Sequence, residues 1–141
     1  MPTRGAKARW EGGLKGGTGT FSTATGLSAD YSFSSRFESG EGSNPEEMLA
    51  AAEAACYSMA LSAGLERAGN PPTSVDTTAQ CTIEKVGEGF KVTKMRLEVR
   101  ASVPKIDAGE FRKLAEATKD SCPISQVMKG NVSIELDAKL V

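Results

Sequence analysis

From Met48 to Gly64 the chain carries one charged residue, Glu53; every other position is Met, Leu, Ala, Cys, Tyr, Ser or Gly. The segment has strong helix signals at both ends. Asn44 can cap, Pro45 suits the first helical position, and Glu47 stands three residues after the cap. The helix is expected to run to about Arg67, with Gly69 as its stop and Pro71-Pro72 beyond. A helix this apolar all round is expected to be buried rather than to lie on a surface. Its many alanines permit close helix–helix approach. A fold for this chain must therefore be built around this helix, and 141 residues suit one domain, residues 1–141.

The remaining chain reads as strands and one further helix. Residues 7–37 form a glycine-rich β region, with a short strand over Lys7 to Glu11. A turn-like loop, Gly12 to Gly19, follows it. Tyr31, Phe33 and Phe37 suggest a half-buried strand across Ala29 to Phe37. Ser74 to Val86 alternates, with Val75, Ala79, Cys81 and Ile83 on one face. After Gly87-Glu88-Gly89, Phe90 to Val103 forms the return strand. Met95, Leu97, Val99, Ala101 and Val103 point inward, with a phase slip near Lys94. A second helix starts at Asp107, with Glu110 completing a capping box, and continues through Phe111, Leu114 and Ala115. It breaks at Ser121-Cys122-Pro123. A short helical turn to Met128 and Gly130 follows. The last strand places Val132, Ile134, Leu136, Ala138 and Leu140 inside. This order predicts an α+β fold with antiparallel sheet and no internal repeat or linker.

Composition removes several chemistries. With no histidine, a Ser-His-Asp triad, a Cys-His dyad, and His-ligated zinc or haem are excluded. Lys and Arg total 17 against 18 Asp and Glu, which argues against a nucleic-acid or membrane-surface binder. No apolar run is expected to reach the length of a membrane span. The N-terminus lacks the apolar stretch of a secretory signal, so the expected compartment is the cytoplasm. The Gly12–Gly19 loop lacks phosphate-loop spacing, since Gly16 follows Lys15.

The three cysteines, Cys56, Cys81 and Cys122, form no CxxC pair. Cys81 is in phase with the core face of its strand. Cys56, in the middle of the apolar helix, reads by itself as a core thiol. Cys122 sits where a short helix begins, and a helix N-terminus lowers a thiol's pKa. Glu53 precedes Cys56 by three residues on the same helix face. A carboxylate there would raise the thiol pKa, so Glu53 is expected to face solvent or a basic partner and to be non-catalytic.

Five blocks together resemble the osmotically inducible protein C (OsmC) family, related to the organic hydroperoxide resistance proteins. They are Trp10-Glu11-Gly12, Arg36-Phe37-Glu38, Ser43 to Leu49, Ala54 to Ala60, and Cys122-Pro123-Ile124-Ser125. The resemblance implies an OsmC-like fold, with antiparallel sheets around long, largely buried central helices in an intertwined dimer. It implies a thiol peroxidase that reduces organic hydroperoxides, with Cys56 reactive, Cys122 resolving, and Arg36 and Glu46 in the site. No cofactor or metal is implied. The partners implied are a second copy of the chain, the hydroperoxide and an external dithiol reductant of lipoyl or other type. The physical chemistry is consistent with these parts: a guanidinium opposes the cost of a buried thiolate, and Glu46 can hold it in place.

Glu46 and Cys56 lie ten residues apart on one expected helix, about 15 Å along its axis. They are roughly 80° apart around that axis, at 3.6 residues per turn. If both serve one site, a homodimer with sites shared between the chains is the simplest arrangement. The competing reading is a non-catalytic binding protein for an apolar small molecule or lipid, in which the cysteines only pack. A protein disulfide reductase is disfavoured by the lack of CxxC.

Overall fold

The computed structural model describes all 141 residues, Met1–Val141. The chain divides into two compact units, Met1–Met48 and Leu49–Val141. The first unit holds an antiparallel three-stranded meander of β1 (Ala6–Glu11), β2 (Thr18–Thr23) and β3 (Ser28–Tyr31). The Gly12–Gly17 segment is the turn between β1 and β2, as its composition suggested. Cross-strand register places Trp10 opposite Gly19, and Gly19 opposite Tyr31. The Trp10 and Tyr31 ring centroids lie 5.4 Å apart over this glycine. A Cβ at Gly19 would fall 2.6 Å from Tyr31 Cε1 and 2.7 Å from Trp10 Cε3. Only a residue with no side chain lets the two rings close over the central strand.

The strand expected over Ala29 to Phe37 ends early. It stops at Tyr31, and Phe33–Phe37 forms a short helix, α1. The cause is a reciprocal cap: Ser32 Oγ accepts from the Ser35 N–H at 3.1 Å, and Ser35 Oγ accepts from the Ser32 N–H at 2.8 Å. Phe33 and Phe37 are four residues apart, a helical spacing, and their rings meet at 5.0 Å.

The long helix α2 (Pro45–Arg67) has the bounds the sequence implied. Asn44 Oδ1 accepts from the Glu47 N–H at 2.8 Å, and Gly69 follows with φ 84°. Its burial is a stripe rather than all round. Ala50, Glu53, Tyr57, Leu61 and Leu65 are buried, whereas Ala51, Ala52, Ala55 and Met59 are exposed. By length and mean hydropathy (1.3) α2 meets the requirements of a membrane span, contrary to expectation. Its buried stripe belongs instead to the core of the second unit.

That core also takes residues from β4 (Ser74–Val86), β5 (Gly89–Ser102), α3 (Ala108–Ser121), α4 (Pro123–Met128) and β6 (Ser133–Leu140). The β4–β5 hairpin slips register where Thr82 faces Lys94 and Ile83 faces Val92, which leaves Thr93 as a bulge at the expected phase slip. Met95, Leu97, Val99 and Ala101 are fully buried along β5, the central strand. β6 pairs with β5 in parallel, so this sheet is mixed rather than purely antiparallel. The intervening α3 and α4 form a crossover that returns the chain in the same direction. Apolar alternation is the same for either direction, so the sequence pattern carries no sign of it.

Gly19→Ala should destabilise the protein by about 1–3 kcal/mol, because the ring pair must open around the new methyl. Urea unfolding of both proteins tests this; an unchanged midpoint would show that the rings yield freely.

Candidate active site

The expected site residues fall into two pairs, one in each unit. In the first unit, Ser35 and Asn44 build the local frame. Ser35 Oγ donates to the Ser43 carbonyl at 2.7 Å, and Asn44 Nδ2 donates to the Ser35 carbonyl at 3.1 Å. Asn44 thus caps α2 with one side-chain atom and ties α1 to that cap with the other. This sets Arg36, on α1, against Glu46 in the first turn of α2. Arg36 Nη2 donates to Glu46 Oε1 at 2.8 Å, and Nε lies 3.1 and 3.2 Å from the two carboxylate oxygens. The Glu46 side chain is 8% exposed and that of Arg36 36%. The carboxylate is thus held inside while one flank of the guanidinium stays accessible. Arg36 borders a cavity of about 230 Å³ lined also by Trp10, Leu14, Tyr31, Phe33 and Phe37. The guanidinium sits 5.1 Å from the Phe37 ring centroid.

In the second unit, Cys122 Sγ donates to Cys56 Sγ at 2.8 Å, across a sequence separation of 66 residues. Cys122 is at the joint between two helices, as C-cap of α3 and N-cap of α4. Its backbone N–H donates to Thr118 and its carbonyl accepts from Gln126, both at 2.9 Å. Cys122 is buried and Cys56 is half-buried. Burial pushes the Cys56 thiol up, and Cys122 and the charge of Glu53 push it further; the Ile124 backbone N–H opposes them. The N-terminal end of α4, expected to act on Cys122, thus places the Ile124 amide at Cys56.

Glu53 does not face solvent or a basic partner. It is fully buried. Ser125 Oγ, from α4, donates to Glu53 Oε1, and Glu53 Oε2 has no hydrogen-bond partner. An unsatisfied buried acceptor costs about 1–3 kcal/mol, and more when charged. Burial accordingly pushes the Glu53 carboxyl above its ordinary range, with the Ser125 bond a smaller opposing influence. Only the ionised form of Glu53 opposes a thiolate at Cys56, and burial disfavours that form. Ser125 had no assigned role in the sequence. Its signals were its place in the Cys122-Pro123-Ile124-Ser125 block and its spacing: 53 and 56, and 122 and 125, are both i, i+3 pairs. Cys81, on β4 opposite Met95, packs against the core as its strand phase implied.

The chain is thus an α+β protein with two facing thiols, one on α2 and one at the joint of α3 and α4, and a separate arginine–glutamate pair. Residues 38–137 match the model of the OsmC-like protein family, and the chain belongs to that family. It is 46% identical over 135 residues to peroxiredoxin OsmC of Escherichia coli strain K12, covering 94% of each chain. An organic hydroperoxide resistance protein of Xanthomonas axonopodis pv. citri is 31% identical over 98 residues, 69% of this chain and 67% of that one. Among solved structures, the organic hydroperoxide resistance protein OhrB of Bacillus subtilis superposes with a TM-score of 0.75 at 26% identity. The alignment covers 96% of this chain and 98% of that one.

The raised carboxyl of Glu53 has a consequence for stability. Between the ordinary value of 4.5 and its raised folded value, the native state binds the extra proton and the unfolded state does not. Stability from this group therefore falls as pH rises through that window. Glu53→Gln removes the dependence, so the variant should gain stability relative to wild type as pH rises above 4.5. Urea melts at several pH values measure it; parallel curves for the two proteins would contradict a raised carboxyl.

Proposed function

We propose that this chain is a cysteine-based peroxidase that reduces organic hydroperoxides to alcohols, serving in oxidative and osmotic stress defence. The observation that carries the reading is the 2.8 Å approach of Cys56 and Cys122. In the first step the Cys56 thiolate attacks the distal peroxide oxygen. The O–O bond breaks, an alkoxide leaves and takes a proton to become the alcohol, and Cys56 becomes a sulfenic acid. Cys122 then attacks the Cys56 sulfur, water leaves, and a disulfide forms. An external dithiol, of lipoyl or another type, restores both thiols by exchange. No metal or organic cofactor takes part in this scheme. A reducing compartment such as the cytoplasm suits it, since the resting thiols must stay reduced.

Arg36 supplies the positive charge that favours thiolate and meets the peroxide, and Glu46 orients it. The aromatic cavity beside Arg36 supports a substrate with an apolar tail, because each buried methylene adds affinity that hydrogen peroxide does not gain. Glu46 and Cys56 remain ten residues apart on α2, about 15 Å along the axis. Arg36 and Glu46 of one chain therefore serve Cys56 of a second, in a homodimer. The exposed Ala51, Ala52, Ala55 and Met59 on α2 support this, as an apolar helix face that a second copy would cover.

Cys56→Ser should abolish turnover. Cys122→Ser should consume one equivalent of peroxide and then overoxidise at Cys56, as seen by mass spectrometry. A dominant Cys56–Cys81 disulfide would contradict the assignment. Failure of the wild type to consume cumene hydroperoxide would favour an apolar-ligand binder instead.

Arg36→Ala should lower kcat/KM for cumene hydroperoxide by about a hundredfold or more. An unchanged alkylation profile of Cys56 would show that Arg36 does not activate it. Mixed dimers of Cys56→Ser and Arg36→Ala/Glu46→Ala chains contain one intact shared site. Activity should return in them, and inactive verified heterodimers would refute sharing.

A further inference from the structure

Two helices of the second unit face each other through two rungs. Cys56 meets Cys122, and Glu53 meets Ser125. Each helix contributes residues three apart, 53 and 56 from α2 and 122 and 125 from α4, in opposite chain directions. The second rung is as buried as a core pair: Glu53 is 0% and Ser125 1% exposed. Apolar packing alone does not explain a carboxyl here. Its Oε1 is held by the Ser125 hydroxyl, while Oε2 is enclosed and unpartnered, one helical turn from Cys56. A structural carboxyl would be expected to have both oxygens paired.

Closing the disulfide requires two proton movements at this place. The Cys122 thiol must lose a proton, and the hydroxyl leaving the Cys56 sulfenic acid must gain one. Neighbours at i, i+3 have Cβ atoms about 5–6 Å apart, and the Glu53 carboxyl acts electrostatically on the Cys56 sulfur, so the two side chains share one small enclosure. Resting on the peroxidase reading above, we propose that Glu53, held by Ser125, is the proton shuttle for disulfide closure. Protonated Glu53 gives its proton to the departing hydroxyl, which leaves as water. The Cys122 sulfur bonds to the Cys56 sulfur, and the carboxylate takes the Cys122 proton. The sulfenic sulfur is reduced, the Cys122 sulfur is oxidised, and Glu53 ends protonated as it began.

The surroundings suit a group kept protonated between turnovers. The titratable groups acting on this place are Cys56 and Tyr57 on α2 and Cys122 at the start of α4, with Glu116 of α3 acting on Tyr57. None of these carries a positive charge; the cations near this place, Lys119 and Lys129, line a cleft on the far side of the Ser125 bond together with Asp120. The Tyr57 hydroxyl is committed to the Ala115 carbonyl at 2.9 Å. Burial raises the Glu53 carboxyl, in keeping with a donor role. That cleft is small, of about 160 Å³, and Ser125 borders it.

The test is rapid-quench mass spectrometry of a single turnover with cumene hydroperoxide from pH 5 to 9, following Cys56 sulfenic acid and the disulfide separately. Glu53→Gln keeps shape and hydrogen bonding but cannot shuttle. It should slow closure at least tenfold more than it slows sulfenic acid formation, and sulfinic acid should build up at high peroxide. It should also abolish the fall in closure rate that wild type shows as Glu53 ionises. Ser125→Ala removes a bond that favours the ionised form, so that fall should move to higher pH. Closure at the wild-type rate in Glu53→Gln would overturn the proposal, as would equal slowing of both steps. Should Glu53→Gln fail to fold, an unshifted pH profile in Ser125→Ala overturns it independently. A wild type that forms no sulfenic acid would overturn the peroxidase reading itself, a result distinct from these.

Discussion

The buried stripe of α2 governs the second unit. Tyr57, Leu61 and Leu65 are fully enclosed, as are Met95, Leu97, Val99 and Ala101 on the central strand β5. Each large apolar side chain taken from water contributes about 1.5–3 kcal/mol, so this contact sets where the helix lies and which residues its other positions present. Tyr57 extends the constraint to α3 through its bond to the Ala115 carbonyl. With α2 and α3 fixed, the helix joint at Cys122 comes to the turn of α2 that carries Cys56. The thiol pair is a product of core packing rather than of any local motif.

Packing also creates the electrostatic difficulty of the site. The enclosure that brings the sulfurs together disfavours a thiolate, and nothing in the second unit compensates with a full positive charge; the Ile124 amide is only a partial dipole. The Arg36 guanidinium, to which the proposed function gives that task, is organised within the first unit by local hydrogen bonds around Ser35 and Asn44. Positive charge and thiol are thus built by separate means: one by short-range capping chemistry, the other by a hydrophobic core. Either can be altered without dismantling the other.

What the sequence revealed follows this division. Caps, turns and strand phases are local, and Asn44, Asp107, the bulge beside Lys94 and the break at Cys122 were all legible. The short helix at Phe33 was not, because Phe33 and Phe37, four residues apart, share a face in a strand as well as in a helix. The parallel pairing of β6 was hidden, since inward and outward positions alternate identically in either direction. Glu53 was misplaced for a different reason. Its partner Ser125 lies 72 residues away, and neither charge nor periodicity shows which face of an all-apolar helix a lone carboxyl will take. The Arg36–Glu46 pair was legible only through the family resemblance, as both residues have ordinary structural roles when read singly.

The two sulfurs differ in exposure: Cys122 is enclosed and Cys56 half-open. That asymmetry gives a bond between them a direction. In the proposed cycle a reducing thiolate from outside would meet the Cys56 sulfur first, so the mixed disulfide would form there and Cys122 would depart as the leaving group. The departing sulfur stays where it is anchored, at a joint whose backbone is bonded on both sides to Thr118 and Gln126. Regeneration in that cycle would be regioselective by burial alone, with the reductant meeting the same sulfur that the proposal assigns to the oxidant.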